Sequence, residues 1–141
     1  MFKIKDRLNH MLSVAKLMKK ECLNNGYSNS YAEDMFTLGL VHDIGYEFCE
    51  HSDHGHVGAE LLERQGFKYT NEIKYHGIPN CDFISKELDL LNWADMHINI
   101  KGEYVTFEER LQDIKSRRGE NSQAYINSLK IINLLRAKGY D

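Results

Sequence analysis

Histidine and aspartate supply the side chains of this sequence that are best placed for chemistry. The chain has seven histidines, and the pair His42-Asp43 directly follows a run of apolar residues. An ionisable pair in that position is costly to bury unless its charge is compensated, and a metal ion compensates it well. Imidazole nitrogen together with carboxylate oxygen suits Fe, Mn, Co and Zn, and carboxylates also suit Mg. Because adjacent residues at a helix end point in different directions, His42 could bind one ion while Asp43 bridges to a second.

His10 and Asp95 are further candidate ligands. Apolar residues recur at steps of three and four from about residue 5 to residue 24, so His10 lies in the middle of a predicted amphipathic helix. Asp95 lies in another predicted helix, beside Leu91 and Ala94. Four ligands from three helices leave open positions for water and substrate, which catalytic metal ions require. Taken singly, each residue is explained by a hydrogen-bonded core position, a helix cap or a solvated carboxylate, but their combination favours a metal site.

The elements that must position these residues are predicted to be helices. The chain has one proline, many strong helix formers and no segment with clean alternation of apolar and polar residues, a pattern that favours helices over strands. Helical periodicity and cap residues predict an all-α bundle of about seven helices. The approximate ranges are 5–24, 30–42, 54–65, 70–76, 85 to before 102, 106–119 and 122–138.

Several helix ends and faces carry specific predictions. The apolar run at residues 35–41 indicates that the second helix is central and buried. The predicted caps are Ser30 with Glu33 for the second helix, Thr70 or Asn71 for the fourth, and Thr106 with Glu109 for the sixth. The residues of the last helix that are expected to face inward are Ala124, Leu129, Ile132 and Leu135.

Length and composition indicate an ordinary globular domain. The 141 residues are 42% hydrophobic and 28% charged, as is usual for such domains. The net charge of -3 argues against nonspecific nucleic-acid binding, whereas a small phosphorylated substrate is compatible with it, because local charge in a pocket outweighs the total. Three widely separated cysteines argue against a disulfide framework. With no apolar stretch of signal-peptide length and no run of the roughly 20 apolar residues that span a membrane, we expect a cytoplasmic protein without membrane association.

The ordered series of histidines and aspartates resembles the HD superfamily of metal-dependent phosphohydrolases. Arg7-Leu8-Asn9-His10 is similar to the family's opening Arg-x-x-His, and Leu40-Val41-His42-Asp43-Ile44-Gly45 is similar to its central Leu-x-His-Asp-Ile-Gly. Residues 54–62 are similar to the His-x-x-x-Gly-Ala-x-x-Leu segment of members with extra histidines. The resemblance covers about residues 5–100. It implies that residues 1–141 form a single HD domain, with the C-terminal helices over 106–138 packed on that core.

The ligand set that the resemblance implies has two parts. The positions that bind one metal ion are matched by His10, His42, Asp43 and Asp95. In dinuclear members a second ion is bound at the positions of His54 and His76, and the carboxylate of Asp43 bridges the two ions. Because both histidines are present, the expected cofactor is a pair of divalent ions. Fe or Mn is preferred, and Mg, Co, Ni and Zn are alternatives. The histidines that are not expected among the ligands are His51, His56 and His97.

The activity that the resemblance implies is hydrolysis of a nucleotide or another small phosphate ester. Asp43 would be catalytic, and Arg7 would clamp the phosphate, because a guanidinium binds two oxygens at once. Two other functions stay open on this scaffold: a diiron oxygenase with the same six ligands, and a noncatalytic module whose cluster is structural or senses a ligand. Tyr46 stands where many phosphodiesterase members have lysine and offers a phosphate only a hydroxyl. The sequence therefore argues against cyclic-dinucleotide phosphodiesterase activity.

The residues after about Gly102 show no chemistry of their own. We expect them to form packing elements, with a lid or a homodimer surface as the alternatives. A group of basic residues in the sixth helix is interpreted as a solvated face rather than a nucleic-acid site. Its members are Arg110, Lys115, Arg117 and Arg118.

Overall fold

The computed structural model describes residues 4–47 and 54–141, and most of these residues are helical. The described ranges contain seven α-helices, a short 3-10 turn at Ile44–Glu47 and, in place of strands, one isolated bridge between Ile98 and Tyr104. The predicted all-α class is confirmed. None of the described helices combines the length and the apolar character that crossing a bilayer would require. In chain order the helices are α1 Ile4–Asn24, α2 Asn29–Val41, α3 His54–Arg64, α4 Thr70–Tyr75, α5 Lys86–His97, α6 Phe107–Arg118 and α7 Gln123–Ala137.

The second helix begins earlier than its predicted cap. The N-cap of α2 is Ser28, whose hydroxyl oxygen accepts a hydrogen bond from the backbone N–H of Tyr31 at 3.1 Å. The predicted capping box of Ser30 and Glu33 is therefore wrong. Both serines are good caps by type, and the earlier one extends the helix by a further half turn, with its carbonyl accepting from the N–H of Ala32.

The other predicted caps have different outcomes. Thr106 and Glu109 open α6 with both reciprocal hydrogen bonds of a capping box, as predicted. α4 begins after Tyr69, whose side chain makes no capping hydrogen bond, so the predicted cap by Thr70 or Asn71 is wrong. A helix of six residues depends on tertiary packing more than on its own ends.

α1 and α2 pack closely, and a glycine sets their nearest approach. A Cβ atom on Gly39 would lie 2.8 Å from the Cα atom of Ala15 and 2.9 Å from its backbone nitrogen, which is too close for any other residue type. Met18 is fully buried beside this crossing. Because the crossing fixes the end of α2 against the middle of α1, it brings His42 toward His10.

Two predicted inward faces are only partly buried. Leu40 is 39% exposed, because α2 packs on α1 and α5 with one side and faces solvent with the other. Leu129 is 38% exposed, so its predicted inward position is wrong. The predicted inward positions of Ile132 and Leu135 in α7 are confirmed, and Ile131 is buried with them.

Of the described helices, α5 is the most deeply buried. Every residue from 91 to 98 is buried, including three polar ones. One of them, Asn92, accepts the backbone N–H of Gly77 at 2.9 Å. Helices α1, α2, α4, α6 and α7 all pack against α5. Asp95 therefore lies in the interior, where a carboxylate needs partners.

Gly45 holds the start of α3 against the turn that follows α2. A Cβ atom on Gly45 would lie 1.7 Å from the carbonyl oxygen of His54, so only glycine fits this position. The contact places His54, the first residue of α3, beside Asp43.

Candidate metal centre

Four of the predicted ligands meet inside the bundle, and we call them the deep group: His10, His42, Asp43 and Asp95. One ligand atom from each lies within 4.8 Å of the others, and all four residues are buried. The Nε2 atom of His42 is 3.1 Å from Oδ2 of Asp43 and 3.4 Å from Oδ1 of Asp95. The Nε2 atom of His10 is 2.8 Å from the same Asp95 oxygen and 3.6 Å from Oδ2 of Asp43. The residues come from α1, from the end of α2 and from α5.

Asp43 also belongs to a second cluster, which we call the shallow group, with His54 and His76. Its Oδ1 atom is 3.1 Å from Nε2 of His76 and 3.4 Å from Nε2 of His54. The two Nε2 atoms approach each other to 3.0 Å. Because Oδ2 faces the deep group and Oδ1 faces the shallow group, one carboxylate lies between both. The side chain of His54 is 19% exposed, which makes this group the more open of the two.

Backbone carbonyls orient three of the four histidines. In each case Nδ1–H donates to a carbonyl oxygen, and this fixes the ring and turns Nε2 toward the cluster. These bonds run from His10 to Asn99 at 3.0 Å, from His42 to Gly39 at 2.6 Å and from His76 to Ile73 at 2.5 Å.

The charges of the cluster stabilise one another. Burial by itself would raise the pKa of Asp43, but the charge of His42 and the nearby imidazoles of His54 and His76 bring it well below its usual range. Asp95 has its pKa lowered in the same way, mainly by the hydrogen bond from His10 and by the nearby His42. Burial would lower the pKa of His42, yet the two carboxylates raise it well above its usual value. The carboxylates are therefore ionised and need a positive charge beside them.

The donor set fits a divalent cation. The Nε2 atom of His42 is buried beside carboxylate oxygens of Asp43 and Asp95, and it forms no aligned hydrogen bond with any of the described residues. Two ligands that each lie about 2.0–2.2 Å from one ion are about 3.0–3.5 Å apart, and the nitrogen–oxygen distances given above run from 2.8 to 3.6 Å. Imidazoles with carboxylates are the donors that borderline divalent ions prefer.

A comparison with known families agrees with this donor set. The family model of the HD domain matches residues 7–134. The chain belongs to the HD domain family. HD domain proteins are commonly metal-dependent phosphohydrolases, so the family and the buried cluster together indicate divalent metal binding. No curated protein and no solved structure matches the chain at a significant level.

The cluster of this HD domain lies in the wall of a cavity of about 380 Å³, a volume that suits a small molecule. Among the described lining residues, Asp43 and Asp95 are the only carboxylates. The cationic residues that line the cavity are Arg7, Lys74, Arg110, Arg117 and Arg118. The cavity is therefore positively charged, although the whole chain has a net charge of -3.

Arg110 lies in the interior, and its predicted place on a solvated face is wrong. Its side chain is 9% exposed, and its Nε–H donates to the backbone carbonyl of Asp95 at 3.3 Å. Its Nη2 atom is 3.9 Å from Oδ1 of the same residue. Arg110 shares the inner face of α6 with Phe107 and Ile114, which are both buried. The spacing of these three residues was the signal in the sequence that could have located it.

Residues of α6 and α7 complete the cavity, although the sequence showed no chemistry there. Arg117 and Arg118 come from the end of α6, whereas Lys115 lies off the cavity and pairs with Glu120 at 3.6 Å. From α7 the lining residues are Gln123, Ala124, Asn127 and Ser128. Polar residues on an amphipathic helix are common, so no sequence signal distinguishes those that face a cavity.

Arg7 and Tyr46 form a layered contact at the edge of the shallow group. The ring of Tyr46 stacks on His54, with 4.1 Å between centroids and 8° between planes, and the guanidinium of Arg7 lies 4.9 Å from the centroid of the Tyr46 ring. Burial and the charges of Asp43 and Asp95 raise the pKa of Tyr46. The residue that replaces the family's lysine is thus a neutral ring that supports His54.

Two further histidines, His56 and His97, lie outside both groups. His56 is exposed and lines the cavity. His97 is buried, stacks on Phe107 and donates from Nδ1 to the carbonyl oxygen of Val105 at 2.7 Å. His51 lies outside the described residues.

Proposed function

We propose that this protein is a metal-dependent phosphohydrolase that cleaves a small phosphate ester at a dinuclear centre. The observation that carries the proposal is that Asp43 presents its two oxygens to two separate sets of imidazoles in the wall of a cationic cavity. The deep group would hold one divalent ion, and Asp43, His54 and His76 would hold the second. Fe or Mn is the expected pair, because four imidazoles with two carboxylates suit these ions.

Two divalent cations in these groups would supply Lewis acidity toward phosphoryl oxygens and a source of hydroxide near neutral pH. The reaction is a hydrolysis: water attacks phosphorus, the ester P–O bond breaks, and inorganic phosphate and an alcohol are released. The ionised carboxylates of Asp43 and Asp95 are hydrogen-bond acceptors that can orient the attacking water. Arg7, at the edge of the cavity, can donate two N–H groups to one phosphate.

The cavity supports a small phosphorylated substrate, for which a nucleotide is one candidate. Its volume of about 380 Å³ suits a molecule of that scale, and its cationic lining suits an anion. A nucleic-acid or membrane partner is not part of the proposal, because the net charge of -3 gives no basic excess to attract one.

The direct test is elemental analysis of protein purified without added metal, followed by a phosphate-release screen with small phosphate esters. We expect two equivalents of Fe or Mn and release of inorganic phosphate. His56→Ala is the matched control, because His56 lines the cavity outside both groups, and this variant should keep both ions. Dioxygen consumption with an organic substrate and no phosphate release would favour a diiron oxygenase instead. A bound metal without exchangeable water or turnover would favour a noncatalytic module.

A further inference from the structure

The cationic residues of α6 line the cavity at two separate levels. Arg110 lies behind Asp95 of the deep group, and Arg117 and Arg118 follow it by seven and eight residues on the same face of the helix. At a rise of about 1.5 Å per residue, the two levels are about 10–12 Å apart along the helix axis. One phosphate group at the His/Asp cluster is too small to span both.

At the inner level, Arg110 is buried and incompletely paired. Its Nη1 atom is buried and makes no hydrogen bond with any residue of the ranges 4–47 and 54–141. Its nearest carboxylates are those of Asp95 and Asp113, both at 3.9 Å. Asp95 also serves the deep group, so a cation bound there takes up its charge and leaves the buried guanidinium in need of another anion. A phosphate group held at the cluster would meet that need.

At the outer level, the guanidinium of Arg118 lines the cavity. No carboxylate of the described ranges forms an ion pair with Arg118, whereas its neighbour Arg117 pairs with Asp113 at 3.1 Å. Arg118 and Tyr46 line the same cavity. The outer level therefore presents a positive charge to a ligand.

α7 adds neutral hydrogen-bonding groups to the same cavity. Gln123, Asn127 and Ser128 line it, and the side-chain amide of Gln123 donates to Oδ1 of Asn127 at 2.7 Å. This pairing leaves the amide N–H groups of Asn127 and the carbonyl oxygen of Gln123 for other partners. A surface of this kind suits hydroxyl or amide groups in an uncharged part of a ligand.

We propose that the substrate carries an anionic group at each of two ends. The phosphate that is cleaved lies at the His/Asp cluster beside Arg110, and a second anionic group lies against Arg117 and Arg118 at the outer level. Hydrolysis then yields inorganic phosphate and an alcohol that keeps the second anionic group. The inference rests on the proposed function for the identity of the first group, and it makes Arg118 a residue that determines specificity.

The test is calorimetric titration of the Mn²⁺-loaded protein with alkanediol bisphosphates of increasing chain length and with matched alkyl monophosphates. We expect the best bisphosphate to bind about 10-fold more tightly or better, the usual effect of one added charge-assisted contact. Arg118→Gln should remove most of this ratio, and Arg118→Lys should restore part of it. Lys115→Gln is the matched control, because it removes a cation from the same helix away from the cavity, and it should leave the ratio unchanged. The same titration with a series of ω-carboxyalkyl phosphates shows whether the outer level prefers a second phosphate or a carboxylate.

Equal affinities for bisphosphates and monophosphates across the series would overturn the inference. So would a bisphosphate preference that Arg118→Gln leaves unchanged. Measuring phosphate release from the same ligands distinguishes failure of this inference from failure of the proposed function. A bisphosphate preference without release from any ester would overturn the hydrolase proposal and leave the two-anion cavity supported.

Discussion

The deep and shallow groups share Asp43 but are held by different parts of the molecule. The deep group comes from the closely packed pair α1 and α2 and from the buried helix α5, and its residues are at most 8% exposed. The shallow group adds the first residue of α3 and the residue that follows α4. Its His54 has a side chain that is 19% exposed, and its support is a stacked ring, that of Tyr46.

Because the two groups are held differently, we expect them to bind a metal ion with different affinities. Ligands that are fixed by the main helix packing couple metal binding to the stability of the whole fold. Ligands at the edge of the fold can lose an ion with little effect on the core. We therefore expect a tightly held ion in the deep group and a more readily exchanged ion in the shallow group.

The largest effect is expected at the residue that the groups share. Asp43→Ala should remove both ions and lower turnover by about 10³-fold or more, because each ion loses a carboxylate and the phosphoryl group loses its Lewis acid. Metal content and phosphate release measure this together. Asp82→Ala removes an exposed carboxylate away from the cavity and should leave both values unchanged. Turnover retained in Asp43→Ala would contradict the proposed role of both groups in catalysis.

The next largest effect is a loss of stability that should differ between the deep and the shallow group. His42→Ala leaves the buried carboxylates of Asp43 and Asp95 without their main positive partner, so we expect the metal-free protein to lose about 3 kcal/mol of unfolding free energy. His54→Ala should cost one equivalent of metal with a much smaller loss of stability, because its side chain lies at the edge. Urea unfolding after chelation, together with elemental analysis, measures both. Equal losses in the two variants would contradict the distinction between a deep and a shallow group.

The residues of the deep group could be predicted from local patterns in the sequence that have physical meaning, whereas His54 and His76 were predicted from the resemblance to the family. His42-Asp43 ends an apolar helix, and His10 lies in the middle of another helix that has an apolar stripe. A costly ionisable residue in such a place needs a partner, and the partners it can have are few. The bridging geometry at Asp43 depends on how α3 and α4 pack, which no local pattern encodes.

The wall formed by α6 and α7 could not be predicted in the same way. Arg110 looks like any basic residue of an amphipathic helix until the contact between α5 and α6 buries it against Asp95. Arg117 and Arg118 differ from Lys115 only in the direction that they face, and that direction is set by tertiary packing. The choice between Ser28 and Ser30 as the cap of α2 has the same cause, since both residue types are suitable.

The pH dependence should differ between metal-free and metal-loaded protein. In the metal-free protein, the raised pKa of His42 gives a stabilisation that is complete below its usual value of 6.5 and is lost as the pH rises through the raised value. The lowered pKa values of Asp43 and Asp95 give a stabilisation that is present above their usual value of 3.8 and is lost as the pH falls through the lowered values. Metal binding needs the deprotonated ring, so metal affinity should rise with pH by about tenfold per unit for each proton released.

Thermal unfolding across neutral and alkaline pH, with and without chelator, measures this contrast. The metal-free protein should become less stable as the pH rises, while the metal-loaded protein keeps or gains stability. Titration calorimetry in buffers of different ionisation enthalpy counts the protons released on binding. Binding without proton release would show that His42 is already neutral before the metal arrives, contrary to the raised pKa.

The smallest expected effect is a change in the metal affinity of the shallow group alone. Tyr46→Leu removes the ring that stacks on His54, and aromatic pairs of this kind contribute about 0.5–1.5 kcal/mol, so the ion of the shallow group should bind about 2- to 10-fold more weakly. Tyr46→Phe keeps the ring and should keep the affinity, while the ion of the deep group should be unaffected in both variants. Stepwise metal titration resolves the two ions.

If Tyr46→Phe weakened binding as much as Tyr46→Leu, the hydroxyl rather than the stacked ring would support the shallow group, and Tyr46 would take part in the polar chemistry of the site. If both variants weakened the ion of the deep group as well, the two groups would form one cooperative unit, and the difference in their burial would have no consequence for binding.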